Sequence, residues 1–502
     1  MAAVLELADA VSARHSLCHD DHAHGHGHGH VLEQGAITES VRDVHTPERE
    51  DAMCKRTNAT VYHDLNEKEC DTTLERSPTA TVKTDNSPEL ENKEVSEKTP
   101  RTAAMKKKEN WHIFALCFAL FVAGWDGGTA GPLILRMQEY YNVSYTIISV
   151  IFIANCVGFL LGAAMNVFLT DRLGFGKVLA LGSFAQLVGY ALLAPALPFP
   201  VFCIAFVING WGISLQDAQS NGYVASLTEN SSMKMGLLHA FYGIGAVCSP
   251  FSATQFATLP RIWSYHFIIS AGLAIINTAI LLAVFKGRDQ DTCLQSVGEE
   301  IVEAGTSEHS KYRQMFNQKN LHLLAFFSLV YVGIEFTIAS WTVTYIVEHR
   351  SGGASSGYIS TGFFGGLAIG RVALLWINEK VGEHLIIYAY IVISLALELV
   401  VWFVPSLIGN AVAVSMIGFF LGPMYPILMN ETGKLLPPWL LTGSIGWIAS
   451  FGFAGSALFP FLTGAFSGKF GIVSLQPLLV AMMGLLFVIW LITPSGDKKK
   501  LS

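Results

Sequence analysis

Asp217 lies in Gly210-Trp-Gly-Ile-Ser-Leu-Gln-Asp-Ala-Gln-Ser-Asn-Gly222, where an acid and three amides interrupt an otherwise apolar sequence. The run Pro200-Val-Phe-Cys-Ile-Ala-Phe-Val-Ile208 precedes it. Residues 199–224 together are long enough to cross a bilayer, which takes about 20 residues of helix. On a helix Gly210, Ser214, Asp217 and Asn221 step by four, three and four, and so share one face. A carboxylate at membrane depth costs on the order of 3 kcal/mol, so such a stripe is expected to face a water-filled cavity rather than lipid. A carboxyl group taken out of water can hold a proton and give it up when its surroundings hydrate. Asp217 is therefore the first candidate for proton chemistry. Gln216 and Asn221 are candidate hydrogen-bonding groups for a solute or supports for the acid.

Two further acids sit at comparable depth. Asp126 falls about 15 residues into the apolar run 111–132, beside Gly127, Gly128 and Gly131, which permit close helix packing or local unwinding. Glu335 lies at equal depth in the run 320–346, so the two acids are expected on opposite walls of one cavity. Trp125, Tyr242 and Trp341 are the aromatic candidates for stacking on a ring-shaped solute. Glu398 stands alone among apolar residues, and Arg371 reads as a brace for the loop that holds Glu379. No enzyme constellation occurs. The phosphate-binding pattern Gly-x4-Gly-Lys-Ser/Thr is absent, which argues against an ATP-driven pump. The eight cysteines are scattered singly, so neither a disulfide framework nor a zinc site is read from them, and no cofactor is expected.

The elements that position these residues are membrane helices. Hydrophobic residues make up 51% of the 502 and charged residues only 14%, against roughly 25% charged in soluble domains. Residues 1–108 hold 20 of the 39 acids and few apolar runs, and read as a disordered tail. The net charge of −7 arises there, so it gives no case for nucleic acid. His22, His24, His26, His28 and His30 alternate with other residues in that tail and can chelate a divalent metal. The tail's start has no basic segment ahead of an apolar core, so a cleaved signal peptide is not expected.

Twelve helices are expected near 111–132, 147–170, 176–195, 199–224, 234–257, 266–286, 320–346, 355–378, 385–404, 408–430, 441–466 and 474–493. They group as a first bundle at 109–286, a polar linker at 287–319, a second bundle at 320–495 and a basic end at 496–502. With both termini in the cytosol, 17 Lys and Arg from Lys106 onward fall on that side, against Arg136, Arg261, Arg350 and Lys469 on the other. That asymmetry predicts cytosolic termini. The sequon Asn142-Val-Ser144 then lies outside the cell, a candidate for glycosylation.

The two halves repeat. Gly162-x8-Asp171-Arg172-x-Gly174 returns as Gly370-x8-Glu379-Lys380-x-Gly382, and Gly124-Trp-Asp126 as Gly333-Ile-Glu335. Gly236-x4-Phe241-x3-Gly245-x4-Pro250-Phe251 returns as Gly446-x4-Phe451-x3-Gly455-x4-Pro460-Phe461. Such a repeat predicts two bundles related by an axis along the membrane normal, with a substrate site between them.

On these residues the chain from about 111 to 495 resembles a major facilitator superfamily transporter. Asp171-Arg-Leu-Gly-Phe-Gly-Lys177 is similar to that superfamily's loop between helices 2 and 3. The resemblance implies a cytosolic latch of Asp171, Arg172, Lys177 and Glu379. Asp217 and Asn221 resemble the acid and asparagine of the fucose–proton symporter branch, which also uses an aspartate in helix 1, here Asp126. Gly422-Pro-Met-Tyr-Pro426 is similar to fungal transporters. What this implies is an all-α secondary transporter, a monomer in the bilayer, that carries a small, sugar-like solute with protons across the plasma membrane; vacuolar and peroxisomal membranes would leave the same pattern. Its rivals are a drug or metabolite efflux antiporter, a transporter-like nutrient sensor signalling through the tail, and a metal system using the His tract.

Overall fold

The computed structural model describes residues 101–299, 313–437 and 440–496. The N-terminal tail with its His tract therefore lies outside the described residues. Among the described residues, besides a short linker helix at Gln290–Gln295, twelve long helical units follow one another: α1 Ala103–Tyr141, α2 Tyr145–Leu173, α3 Phe175–Leu193, α4 Phe199–Ala225, α5 Ser231–Ala257 and α6 Trp263–Phe285. The second set is α7 Lys319–His349, α8 Ala354–Val381, α9 Glu383–Phe403, α10 Leu407–Leu435, α11 Leu441–Phe470 and α12 Ile472–Ile492. No strand occurs among the described residues. Ten of the helices are long and apolar enough to cross a membrane, and α8, bent by 52° at Leu374, makes eleven if counted as one span. α5 is long enough, at 27 residues, but His239, Tyr242, Ser249, Pro250 and Gln255 lower its hydropathy.

Helix ends follow their sequence. Thr102 caps α1 by accepting the Met105 N–H at 3.3 Å. α1 thus begins at Ala103 rather than near 111, and the expected tail boundary at 108 falls inside it. Its other end closes on Asn142 in the left-handed region (φ 50°), whose N–H reaches the carbonyls of Gln138 and Glu139. Asparagine tolerates that conformation better than most residues.

The repeated glycines set how closely the helices pack. A Cβ on Gly245 of α5 would strike the Phe121 carbonyl of α1, and one on Gly455 of α11 would strike the Leu329 carbonyl of α7. Each bundle therefore wedges its fifth helix against its first through the same small residue.

Four hydrogen bonds join the bundles among the described residues, and all lie at the end away from the chain's start. Tyr145 bonds Glu348, and Gln255 bonds Tyr358. Thr146 Oγ1 donates to the Gly464 carbonyl at 3.4 Å and Ser149 Oγ to that of Phe461 at 3.5 Å. The seam is sealed on that side. On the terminal side Gly222, Gly236 and Gly446 have nothing within 4 Å of a Cβ position.

The linker is not loose where it is described. Cys293, Leu294 and Val297 are buried against the first bundle. Arg101 pairs with Glu109 at 2.8 Å and with Glu299, while Lys234 pairs with Glu109. Glu299 also accepts the Thr228 N–H at 2.8 Å.

Candidate functional site

A cavity of about 110 Å³ lies at the seam. Asp126, Thr129, Asn155, Asp217 and Tyr242 line it from the first bundle, and Phe336, Ser340, Phe453 and Ser456 from the second. Small-molecule sites usually measure about 300–1,000 Å³, so a solute needs the bundles to part further than here. Phe159 of α2 and Phe453 of α11 stack across the seam with ring centroids 3.8 Å apart.

The two acids in the cavity are held differently. Asp126 Oδ1 accepts Asn209 Nδ2 at 2.7 Å and Tyr190 OH at 3.2 Å, and Asn155 stands beside the same carboxyl. Among the described residues Asp217 Oδ1 accepts only Asn221 Nδ2, at 3.0 Å, from its own helix. Asn209 and Asp217 are both on α4, eight residues apart, so the acids are separated by about 12 Å of helix rise.

Glu335 is 7% exposed and sits just behind the lining residue Phe336. Tyr331 and Arg371 are its neighbours. Arg371 Nε donates to the Gly422 carbonyl at 3.3 Å. That carbonyl is free because Pro426, four residues on, has no N–H to offer it. The expected brace between Arg371 and Glu379 is therefore corrected: Arg371 points into the bundle, toward Glu335. Tyr242 lies within electrostatic reach of Asp126, Asp217, Glu335 and Arg371, and Tyr425 within reach of Asp217, Glu335 and Arg371, so a phenol from each half is common to both.

Several expected site residues face elsewhere. Gln216 is 1% exposed and turned into the first bundle, donating to the Leu179 carbonyl at 3.3 Å and accepting from Asn277 at 3.2 Å. Trp125 donates to Ser270 Oγ at 2.9 Å and stacks on His266, away from the cavity. Trp341 donates to the Pro460 carbonyl at 2.9 Å and packs on Tyr145 near the sealed end. Helical periodicity puts Gln216 one residue, about 100°, off the Asp217 face. The latch residues Asp171, Arg172, Lys177 and Glu379 make no ion pair among the described residues. Arg172 instead lies over the Phe168 ring, 4.3 Å from its centroid. Asn142 is exposed at the sealed end.

Sequence reading missed Asn155, Tyr190 and Asn209, the residues that hold Asp126. The available signal was a lone amide inside each apolar run, Ile-Phe-Ile-Ala-Asn155 and Phe-Val-Ile-Asn209. A polar side chain in a membrane span is a functional candidate by its cost alone.

Two bundles of six helices, closed on one side around a largely apolar cavity that holds two carboxyl groups at their seam, have the architecture of a multi-pass secondary transporter. The chain belongs to the Major Facilitator Superfamily, whose family model matches residues 116–438. Bypass of stop codon protein 6 of Saccharomyces cerevisiae is 25% identical over 410 residues, 76% of this chain and 82% of that protein. The glucose/mannose transporter GlcP of Bacillus subtilis is 21% identical over 360 residues, 70% of this chain and 87% of that one. The L-fucose-proton symporter of Escherichia coli is 22% identical over 296 residues, 52% of this chain and 66% of its own. A crystal structure of the Escherichia coli fucose:proton symporter superposes with a TM-score of 0.54 at 17% identity, covering 76% of this chain and 98% of that one.

Proposed function

We propose that the protein carries a small, polar, sugar-like solute together with protons, and that Asp217 and Asp126 take and give those protons. The observation that carries this reading is the position of Asp217: it faces the same cavity as Asp126 with no partner beyond Asn221 of its own helix. A carboxyl with one local hydrogen bond can change protonation without dismantling a network, as a coupling group must. Asp126, held by Asn209 and Tyr190 with Asn155 beside them, suits the steadier role of solute or proton acceptor. Glu335 beside Arg371 is the third candidate, and Tyr242 links it to the other two. The sugar and proton in the names of two relatives support the solute class and the coupling.

The cavity also presents Phe152, Phe159, Phe206, Phe336 and Phe453, an aromatic wall that favours export of a flat apolar solute as the second reading. The excess of basic residues on the terminal side supports cytosolic termini, and hence a cavity open inward and an exposed Asn142 outside. The plasma membrane is the placement we adopt, with the protein acting as a monomer. Asp171, Arg172, Lys177 and Glu379 are assigned to a latch that engages when the terminal side closes.

The test uses purified protein in proteoliposomes with an internal pH dye, beside Asp217→Asn. Sugars, sugar acids and small metabolites are added with no imposed gradient. A solute that drives proton entry in the wild type and not in the variant supports symport. Faster loss of a preloaded aromatic solute under an inward proton gradient, with no sugar response, supports the exporter instead.

A further inference from the structure

The second bundle holds a buried carboxyl remote from the seam. Glu398 of α9 is 2% exposed, and its Oε1 has no hydrogen-bond partner. Ser394, one turn earlier on the same face, is fully buried with an unpartnered hydroxyl. α9 and α12 run antiparallel, with His384 stacked on Trp490 and Tyr388 edge-on to Phe487. The same register brings Glu398 level with Gln476, which is 1% exposed and whose Oε1 also lacks a partner. From α7, Tyr345 is buried with an unpartnered hydroxyl and lies within electrostatic reach of Glu398 and Arg350.

An ionised Glu398 would carry a buried charge with no cation paired to it, and such a charge neutralises itself. A proton does this without a cavity: as a carboxylic acid Glu398 gains a donor for an acceptor at its own level, of which Gln476 Oε1 is one. Arg350, the cation that shares Tyr345 with Glu398, is otherwise occupied. Arg350 Nη2 donates to the carbonyls of Val401 at 3.0 Å and Trp402 at 2.6 Å, one turn beyond Glu398, and its guanidinium covers the Tyr345 ring. His349 lies tilted against that ring and is exposed; α10 offers Asn410 and α12 offers Gln476, neither titratable.

Arg350 closes the same last turn of α7 that carries Glu348, the acceptor of the Tyr145 contact sealing the seam. We propose that Glu398, with Gln476, Ser394 and Tyr345, is a proton-binding site of the second bundle, and that its proton keeps the seal shut by leaving Arg350 on the α9 carbonyls. When Glu398 loses the proton to water, the carboxylate draws Arg350 one turn along α9. The end of α7 moves with it and the Tyr145–Glu348 contact parts. This reading is independent of the solute and of the acids in the cavity.

The test uses the full chain in lipid nanodiscs with Asp126→Asn, Asp217→Asn and Glu335→Gln already in place, so that the cavity acids are silent. Difference infrared spectra are recorded across pH. A protonated-carboxyl band that persists in this background and disappears on adding Glu398→Gln is expected; no such band would mean an ionised Glu398 and would overturn the proposal. Spin labels at Asn142→Cys and Gly353→Cys, with the native cysteines replaced, report the seal. Their distance should lengthen as pH rises and lose that response in both Glu398→Gln and Arg350→Gln. An unchanged pH response in Arg350→Gln, which leaves the buried carboxyl in place, refutes the coupling even if Glu398→Gln fails to fold.

Discussion

The two bundles share a scaffold and differ in chemistry. Gly245 meets the Phe121 carbonyl in one and Gly455 meets the Leu329 carbonyl in the other, the same wedge at repeat-related positions. The repeat-related acids have diverged. Asp126 is held by neutral donors, Asn209 and Tyr190, whereas Glu335 sits beside a cation, Arg371, and a phenol, Tyr331. Backbone packing tolerates little change, because a Cβ in a glycine wedge overlaps a carbonyl oxygen. The side chains that enter the cavity carry no such constraint, so each half holds its acid in its own way.

The largest expected effect breaks this comparison at the cavity. Asp217→Asn removes the least tethered acid, and solute-driven proton flux should fall roughly 100-fold or more, the scale of losing a positioned proton-transfer group. Asp217 has no charged mate in the second bundle, so a loss as large in Glu335→Gln would mean that both halves carry the coupling.

Packing is the next test. Gly245→Ala and Gly455→Ala should each cost about 1–3 kcal/mol, the usual price of overpacking. Thermal unfolding in detergent should show matched losses, and a loss in one bundle alone would contradict the shared wedge. The Glu335–Arg371 pairing can be sharpened by a double-mutant cycle of Glu335→Gln and Arg371→Gln on transport rate. Neighbouring charges couple by about 0.5–3 kcal/mol, whereas Asp126→Asn with Arg371→Gln should be close to additive.

Tyr145→Phe deletes one hydrogen bond of the seal. At about 0.5–1.5 kcal/mol it should shift the open population by at most roughly tenfold, read by cysteine accessibility at the sealed end.

The smallest effect concerns the linker. Burial pushes Glu299 upward, but the Thr228 N–H and hydroxyl and the Arg101 guanidinium outweigh it and hold its carboxyl below the usual carboxylate range. A depressed folded value gives stability that is complete above the ordinary carboxylate pKa, about 4.3, and is lost as pH falls through the folded value. Linker proteolysis should therefore be flat from neutral pH to about pH 5 and rise only in stronger acid. Glu299→Gln should be cut faster from neutral pH to about pH 5 and converge with the wild type in stronger acid.

Much of this molecule was legible before any coordinates. Apolar runs of bilayer length separated by polar turns specify membrane helices, since no other local structure satisfies the backbone in lipid. The repeat anchors then specify two bundles with a seam, and the cost of a buried carboxylate singled out Asp217 and Asp126. Sequence spacing shows which face of one helix a residue occupies, but not which helix that face meets. Gln216, Trp125 and Trp341 looked like cavity residues by depth and type, yet each found its partner inside the scaffold. Asn209, Tyr190, Arg371 and Glu398 gained their roles only because packing brought helices distant in the chain to one level. Local periodicity determined the helices and the cost of their polar residues, and the tertiary structure alone decided which polar groups satisfy one another and which are left facing the cavity.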